Sequence, residues 1–191
     1  HSSCYGLISY QTAYLKAHYP AAFMAALMTS DYDDIDRLTI EMNECQHIGI
    51  DVLPPDINES FVEFAVVPGK EQIRFGMSAI KNVGIGAVEE ILRARADGNF
   101  ASLEDFFSRV SSRSVNRKTI ESLIKTGAFD RFGSRSLLLN NIDTLLAYSQ
   151  KKQKEQDSGQ VDFFGDSAEA TATVQAEIIL GPEDTKHSEQ D

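Results

Sequence analysis

The sequence predicts a mainly α-helical chain carrying one small β-hairpin. Two observations point there: apolar residues recur at three- and four-residue spacings through most of the first 154 positions, and one stretch, 61–75, switches to β-branched and aromatic residues around a turn signal. A third removes the competing organisations. Cys4 and Cys45 lack CxxC spacing, and His1, His18, His47 and His187 form no ligand cluster, so neither a disulfide framework nor a metal site is suggested. A reducing, cytosolic setting fits that cysteine usage. At 191 residues and 42% hydrophobic content, the chain can hold one good core or two small ones. Its longest apolar stretch, 21–28, is far shorter than the roughly 20 residues that span a bilayer, and no export signal precedes it, so no membrane partner is expected. The opening His1-Ser2-Ser3-Cys4-Tyr5 has no initiator Met and runs straight into patterned sequence, which reads as a cut from a longer chain.

The elements follow in order. Ser9 can cap a helix over 10–18, and Pro20 suits the first turn of a second helix over 20–29, where its missing N–H is an orphan anyway. Asp33 or Asp34 opens a third helix whose stripe is Ile35, Leu38, Met42 and Cys45, and Gly49 is placed to end it in a left-handed cap. The acidic run Asp31, Asp33, Asp34 and Asp36 is a capping cluster at that helix start. After the Pro54-Pro55 break, 61–67 and 72–75 flank the turn signal Pro68-Gly69-Lys70 and predict the hairpin. Helices return over 87–96, 102–110 (with Ser102 and Asp105 as a capping-box variant), 116–126 and 134–152. Residues 155–191 are rich in Gln, Ser, Ala, Glu and Asp and poor in large apolar side chains, so they are expected to be disordered. Inside that tail stands Gln160-Val161-Asp162-Phe163-Phe164.

The net charge of −11 argues against a nucleic-acid partner only until it is divided along the chain. Residues 1–69 carry two basic and ten acidic side chains, residues 70–135 twelve and eight, and residues 136–191 four and eleven. The middle is therefore a basic footprint between two acidic flanks.

Within that basic stretch lies Ala79-Ile80-Lys81-Asn82-Val83-Gly84-Ile85-Gly86-Ala87-Val88. A short helix, a turn in which two glycines flank one apolar residue, and a second helix form the helix-hairpin-helix pattern. Gly84 and Gly86 are expected to permit positive φ and a close backbone approach, with Ile85 pointing inward. Free N–H groups at Gly84, Gly86 and Ala87, together with the positive end of the following helix, would then make a site for a DNA phosphate, and Lys81 would add charge. Lys81, Asn82, Val83, Gly84, Ile85, Gly86 and Ala87 are the candidate contacts. A degenerate second hairpin follows, turning at Thr126-Gly127-Ala128-Phe129 and burying Leu123, Ile124, Phe129 and Leu137 together. Around it stand Arg113, Arg117, Lys118, Lys125, Arg131 and Arg135, of which Arg117, Lys118 and Lys125 join the candidate contacts. Such a module reads backbone rather than bases.

Three stretches, His1-Ser2 with 5–20, Leu53-Pro54-Pro55-Asp56-Ile57-Asn58, and 75–84, resemble the bacterial replicative polymerase family of the DNA polymerase III alpha subunit. So do Val115-Asn116-Arg117 and 123–130, and the likeness covers about residues 1–165 in order. The residues thus place a domain boundary near Pro54 and give a helical segment over 1–54, an extended linker and β-hairpin over 55–75, a tandem helix-hairpin-helix module over 76–154 and the tail over 155–191, and the resemblance implies that the first of these is a distal fingers segment. The resemblance also implies a DNA-directed DNA polymerase, a nucleotidyltransferase using Mg2+ held by palm aspartates that are not in this stretch, so the fragment alone should be inactive. It further places His1 near the incoming nucleotide and likens Gln160, Val161, Asp162, Phe163 and Phe164 to the family's motif for the sliding clamp, the beta subunit. Duplex DNA, the clamp and other replicase subunits are the partners this resemblance implies, in the cytoplasm. Two other readings of the residues stay open: a free-standing helix-hairpin-helix protein of repair or recombination, and an interaction scaffold that binds no DNA.

Overall fold

A computed structural model describes residues 1–158. It divides into two compact units, His1–Val88 and a second beginning at Glu89.

The first unit opens with three helices, α1 (Ser2–His18), α2 (Pro20–Ser30) and α3 (Ile35–His47). Helix α1 starts a full two turns before the expected cap at Ser9. Nothing between Ser2 and His18 interrupts the ladder, since Gly6 costs only about 1 kcal/mol in a helix interior, and Tyr5 N–H already bonds the His1 carbonyl at 3.2 Å. None of its side chains is buried among the described residues. Helix α2 begins at Pro20 as expected. Asp34 caps α3 by accepting from Arg37 N–H at 3.1 Å, and Asp31 pairs with the Arg37 guanidinium at 3.1 Å, so two of the four run aspartates serve the helix start. At the other end Gly49 adopts φ +80°, with Gly49 N–H bonding Gln46 O at 3.2 Å and Ile50 N–H bonding Cys45 O at 2.8 Å. Those two bonds are a Schellman cap.

The stripe of α3 is corrected at its first member. Ile35 is 77% exposed, because it lies in the first turn and points away from α2, whereas Leu38 and Cys45 are buried and Met42 is half-buried. They pack with Ala21, Met24, Ala25 and Met28 of α2 and with Ile50, Phe64 and Ile73 into the core of this unit.

The extended region is larger than a hairpin. Strands β2 (Ala65–Val66) and β3 (Gln72–Arg74) pair antiparallel across the turn at Gly69, as predicted. A third strand, β1 (Asp51–Leu53), pairs parallel with β3, Val52 standing opposite Ile73, to give the order β1-β3-β2. The Pro54-Pro55 break therefore lies inside this unit, between two strands of one sheet. Gly76 follows β3 where a Cβ would sit 2.7 Å from the Glu63 carbonyl carbon and 2.8 Å from Phe64 N, so the chain passes there only without a side chain. A 3-10 helix, Met77–Ala79, comes next.

Helix α4 (Ile85–Arg95) runs from the first unit into the second, which continues with α5 (Leu103–Arg109), α6 (Arg117–Lys125), α7 (Arg135–Asn140) and α8 (Ile142–Ser158). Helix α4 starts two residues earlier than expected, placing Gly86 inside its first turn. The capping reads out as the sequence spelled it. Ser102 accepts from Asp105 N–H at 3.1 Å while Asp105 reaches back to Ala101 N–H at 3.0 Å, Asn116 accepts from Thr119 N–H at 3.1 Å, and Ser134 from Leu137 N–H at 3.4 Å. The single helix expected over 134–152 is two. Asn141 interrupts it: its Nδ2 donates to Leu137 O at 2.9 Å, closing α7, while its own carbonyl accepts from Leu145 N–H at 3.1 Å, opening α8. Helix α8 also continues through residues 155–158, which composition had assigned to the tail.

The core of this unit is aromatic. Phe106 meets Phe100, Phe107 and Phe129 edge-on, at centroid separations of 5.0, 5.1 and 4.9 Å, the arrangement favoured by ring quadrupoles. Leu123, Ile124 and Phe129 are buried as expected, but Leu138 rather than Leu137 completes the group, since the short α7 turns its next residue inward. Gln153 ties α8 to the segment after α5, accepting from Ser112 Oγ at 2.7 Å and donating to Val110 O at 3.1 Å. Among the described residues no helix is long and apolar enough to cross a membrane.

Candidate nucleic-acid interface

The first hairpin is built from the 3-10 helix upward. Ile80 N–H bonds Met77 O at 3.2 Å and Val83 N–H bonds Ile80 O at 3.1 Å, so the chain doubles back over residues 80–83. The reversal needs one left-handed residue, and that residue is Asn82 at φ +67°. Neither Gly84 nor Gly86 has positive φ, which corrects the expectation that the glycines supply it. Asn is among the side chains that tolerate this region best.

Ile85 is corrected as well. It is 54% exposed, and the inward anchors of the hairpin are Val83, Ala87 and Val88, all buried. Residues 83, 87 and 88 are spaced so that they share the inner side of the turn, leaving 84–86 as its outer rim. The Gly84 carbonyl accepts from Ala87 N–H at 3.0 Å and from Val88 N–H at 3.2 Å, starting α4. Ala87 N–H is thus occupied and is not a free donor as expected. Among the described residues, the N–H groups of Gly84, Ile85 and Gly86 have no partner, and all three residues are exposed. Space around them is open, since a Cβ built on either glycine meets nothing within 4 Å. Lys81 is exposed on the same turn and makes no ion pair among the described residues. The arrangement presents three backbone donors at the positive end of an 11-residue helix to whatever approaches.

The second hairpin has the same outline and different chemistry. Gly127, at φ +92°, closes α6 in a Schellman cap: Gly127 N–H bonds Ile124 O at 3.0 Å and Ala128 N–H bonds Leu123 O at 2.9 Å. Its turn donors are consumed internally. A Cβ at Gly127 would run into Arg135 Nη2 and lie 2.7 Å from Asp130 Oδ2. Arg135 grips Asp130 with two bonds, of 3.0 and 2.8 Å, and donates to Lys125 O at 3.0 Å. Arg117 is likewise engaged, by Asp143 and by Glu121 at 2.9 Å, and those carboxylates, Asp143 first, hold its guanidinium above its ordinary pKa. Lys118, Lys125 and Arg113 are exposed and make no ion pair among the described residues. Contact with an anion from this hairpin therefore falls to side chains, and Arg117 would have to exchange partners to join them.

His1 is exposed and precedes α1 without a side-chain capping bond. Gln160, Val161, Asp162, Phe163 and Phe164 lie outside the described residues. Among the described residues no three His, Cys, Asp or Glu side chains converge to hold a metal ion. The role of Asn82 was missed in the sequence, although an Asn just before an apolar-Gly pair is a legible signal for a left-handed turn.

A family model described as a helix-hairpin-helix motif matches residues 49–138. The chain is 43% identical over 178 residues, 92% of its length, to the DNA polymerase III subunit alpha of Campylobacter jejuni. It is 44% identical over 170 residues to that of Thermus aquaticus, and 42% identical over 177 residues to that of Escherichia coli K12. It spans 15%, 14% and 15% of those three proteins, respectively.

Proposed function

From the premise that the chain belongs, as a short segment, to the DNA polymerase III alpha-subunit family, we propose that it grips duplex DNA by its phosphates, irrespective of sequence. The observation that carries this reading is the set of unpartnered N–H groups at Gly84, Ile85 and Gly86, aimed outward from a hairpin that also bears Lys81. Backbone donors at a helix start suit a phosphate oxygen in both geometry and charge. They carry no base information, which is the behaviour a polymerase needs from a part that holds whatever duplex it has made.

The parent enzyme in this reading is a DNA-directed DNA polymerase whose Mg2+ ions are held by residues outside the segment, so the segment alone binds without catalysing. His1 faces the incoming nucleotide, and Gln160 with Phe163 and Phe164 docks on the sliding clamp, two aromatic rings filling an apolar pocket with the amide at its rim. Other replicase subunits join it in the cytoplasm. The family relationship and the match to the hairpin model favour this over a free-standing repair protein.

Duplex affinity measured across a salt series tests the grip. With Lys81, Lys118 and Lys125 as the cations that displace counterions, log affinity should fall against log salt with a slope of about −2.7, steeper if Arg113 or Arg117 joins them. A salt-independent affinity, or none at low salt, refutes it.

A further inference from the structure

Helix α3 carries one residue that its buried stripe does not explain. Between Leu38 and Cys45 stands Glu41, only 6% exposed, at a position where an apolar side chain would serve the core better. Its Oε2 is buried and has no hydrogen-bond partner. The Asp31 carboxyl at the end of α2 is the neighbour that, after burial, acts on it most strongly, through a side-chain hydrogen bond and its charge, and Asp31 is itself pinned by Arg37 at 3.1 Å. Two carboxyl groups facing one another cannot both be ionised in so dry a place, and a carboxylate with an orphan oxygen is the costlier form to bury.

We propose that Glu41 and Asp31 form a proton-held latch across the α2–α3 corner, closed while Glu41 is the neutral acid donating to Asp31 and opened when Glu41 ionises. Burial and the neighbouring carboxylates outweigh the one opposing cation and favour the protonated form. Burial pushes the Glu41 carboxyl up from 4.5 to about 7, the hydrogen bond and the charge of Asp31 add to this, Arg37 opposes, and Asp34 adds a little more. On its own helix the Cys45 thiol is raised first by burial and then by Glu44 and Glu41, so it is neutral too. Glu44 is paired with Lys16 of α1 and directs its charge elsewhere.

The sign follows from linkage. Glu41 binds its proton more tightly folded than unfolded, so its contribution is fully present below about 4.5, fades as pH rises toward 7, and is gone above it. Across that window one proton is involved, and the folding equilibrium constant should drop by up to about tenfold per pH unit. Opening the latch would free the first turns of α3 from α2 while the sheet side of the core stays packed.

The test is urea unfolding of the full 191-residue chain at a series of pH values between about 5 and 8.5, with the Glu41 carboxyl followed by carbon NMR. The wild type should lose stability through the window, with a carboxyl midpoint near 7. Glu41→Gln, which keeps the shape and can still donate to Asp31, should remove that loss. Asp31→Asn should move the Glu41 midpoint toward acid, and it keeps the test sound should the glutamine variant fail to fold. An unchanged pH slope in a folded Glu41→Gln, or a midpoint at the ordinary glutamate value, overturns the latch. So does abolition of the slope by magnesium chloride, which would make the orphan oxygen a cation ligand instead.

Discussion

Replacing Gly84 and Gly86 together by leucine separates binding from folding. Neither glycine has positive φ, and a Cβ on either meets no atom within 4 Å, so the change introduces neither backbone strain nor a clash. Gly86 lies within α4, where leucine is the better helix former, and stability should hold or rise by up to about 0.8 kcal/mol. Binding should move the other way. Two side chains would occupy the space through which a phosphate oxygen reaches the N–H groups of 84–86. A hydrogen bond to a charged group contributes roughly 1.5–3 kcal/mol, so losing even one weakens the complex about tenfold to a hundredfold, at 1.4 kcal/mol per factor of ten. Fluorescence anisotropy with two labelled duplexes of unrelated sequence reads the affinity, and urea unfolding on the same samples reads the stability. The loss should be equal for both duplexes. A variant of undiminished stability that binds like the wild type, or that loses affinity for one sequence only, refutes the backbone-phosphate reading.

Gly127→Ala should do the reverse and damage the fold, because the residue sits at φ +92° and the new methyl displaces the Arg135 guanidinium from Asp130; a loss of about 1–3 kcal/mol is expected in urea unfolding. Changing Gln160, Phe163 and Phe164 together to alanine should abolish binding to the sliding clamp in a surface plasmon resonance assay, since the anchoring side chains are gone, while duplex affinity stays as it was.

What the sequence determined by itself is whatever closes within a few residues. Asp34, Ser102, Asn116 and Ser134 each cap the helix that follows through a bond to the third residue on, and Gly49 ends α3 in the left-handed turn its position announced. The hairpin of β2 and β3 and the Gly127 turn were legible for the same reason, since donor and acceptor lie within one short window, while at the first helix-hairpin-helix turn the position was legible and the left-handed residue, Asn82, was not. What only the tertiary structure decided is anything whose partner lies far along the chain. Strand β1 exists because β3, some twenty residues on, offers it a parallel edge, and no local pattern in Asp51-Val52-Leu53 announces that. Ile35 turned outward and Glu41 inward because the side of α3 that meets α2 is chosen by packing rather than by hydropathy alone. The hairpin showed both halves of the rule: the place of its turn was readable, but the assignment of Val83 and Val88 to the inside and 84–86 to the rim waited on the fold. Hydrogen bonds of caps and turns are settled within one or two helical turns, whereas burial is a property of two surfaces and is known only when both are in place.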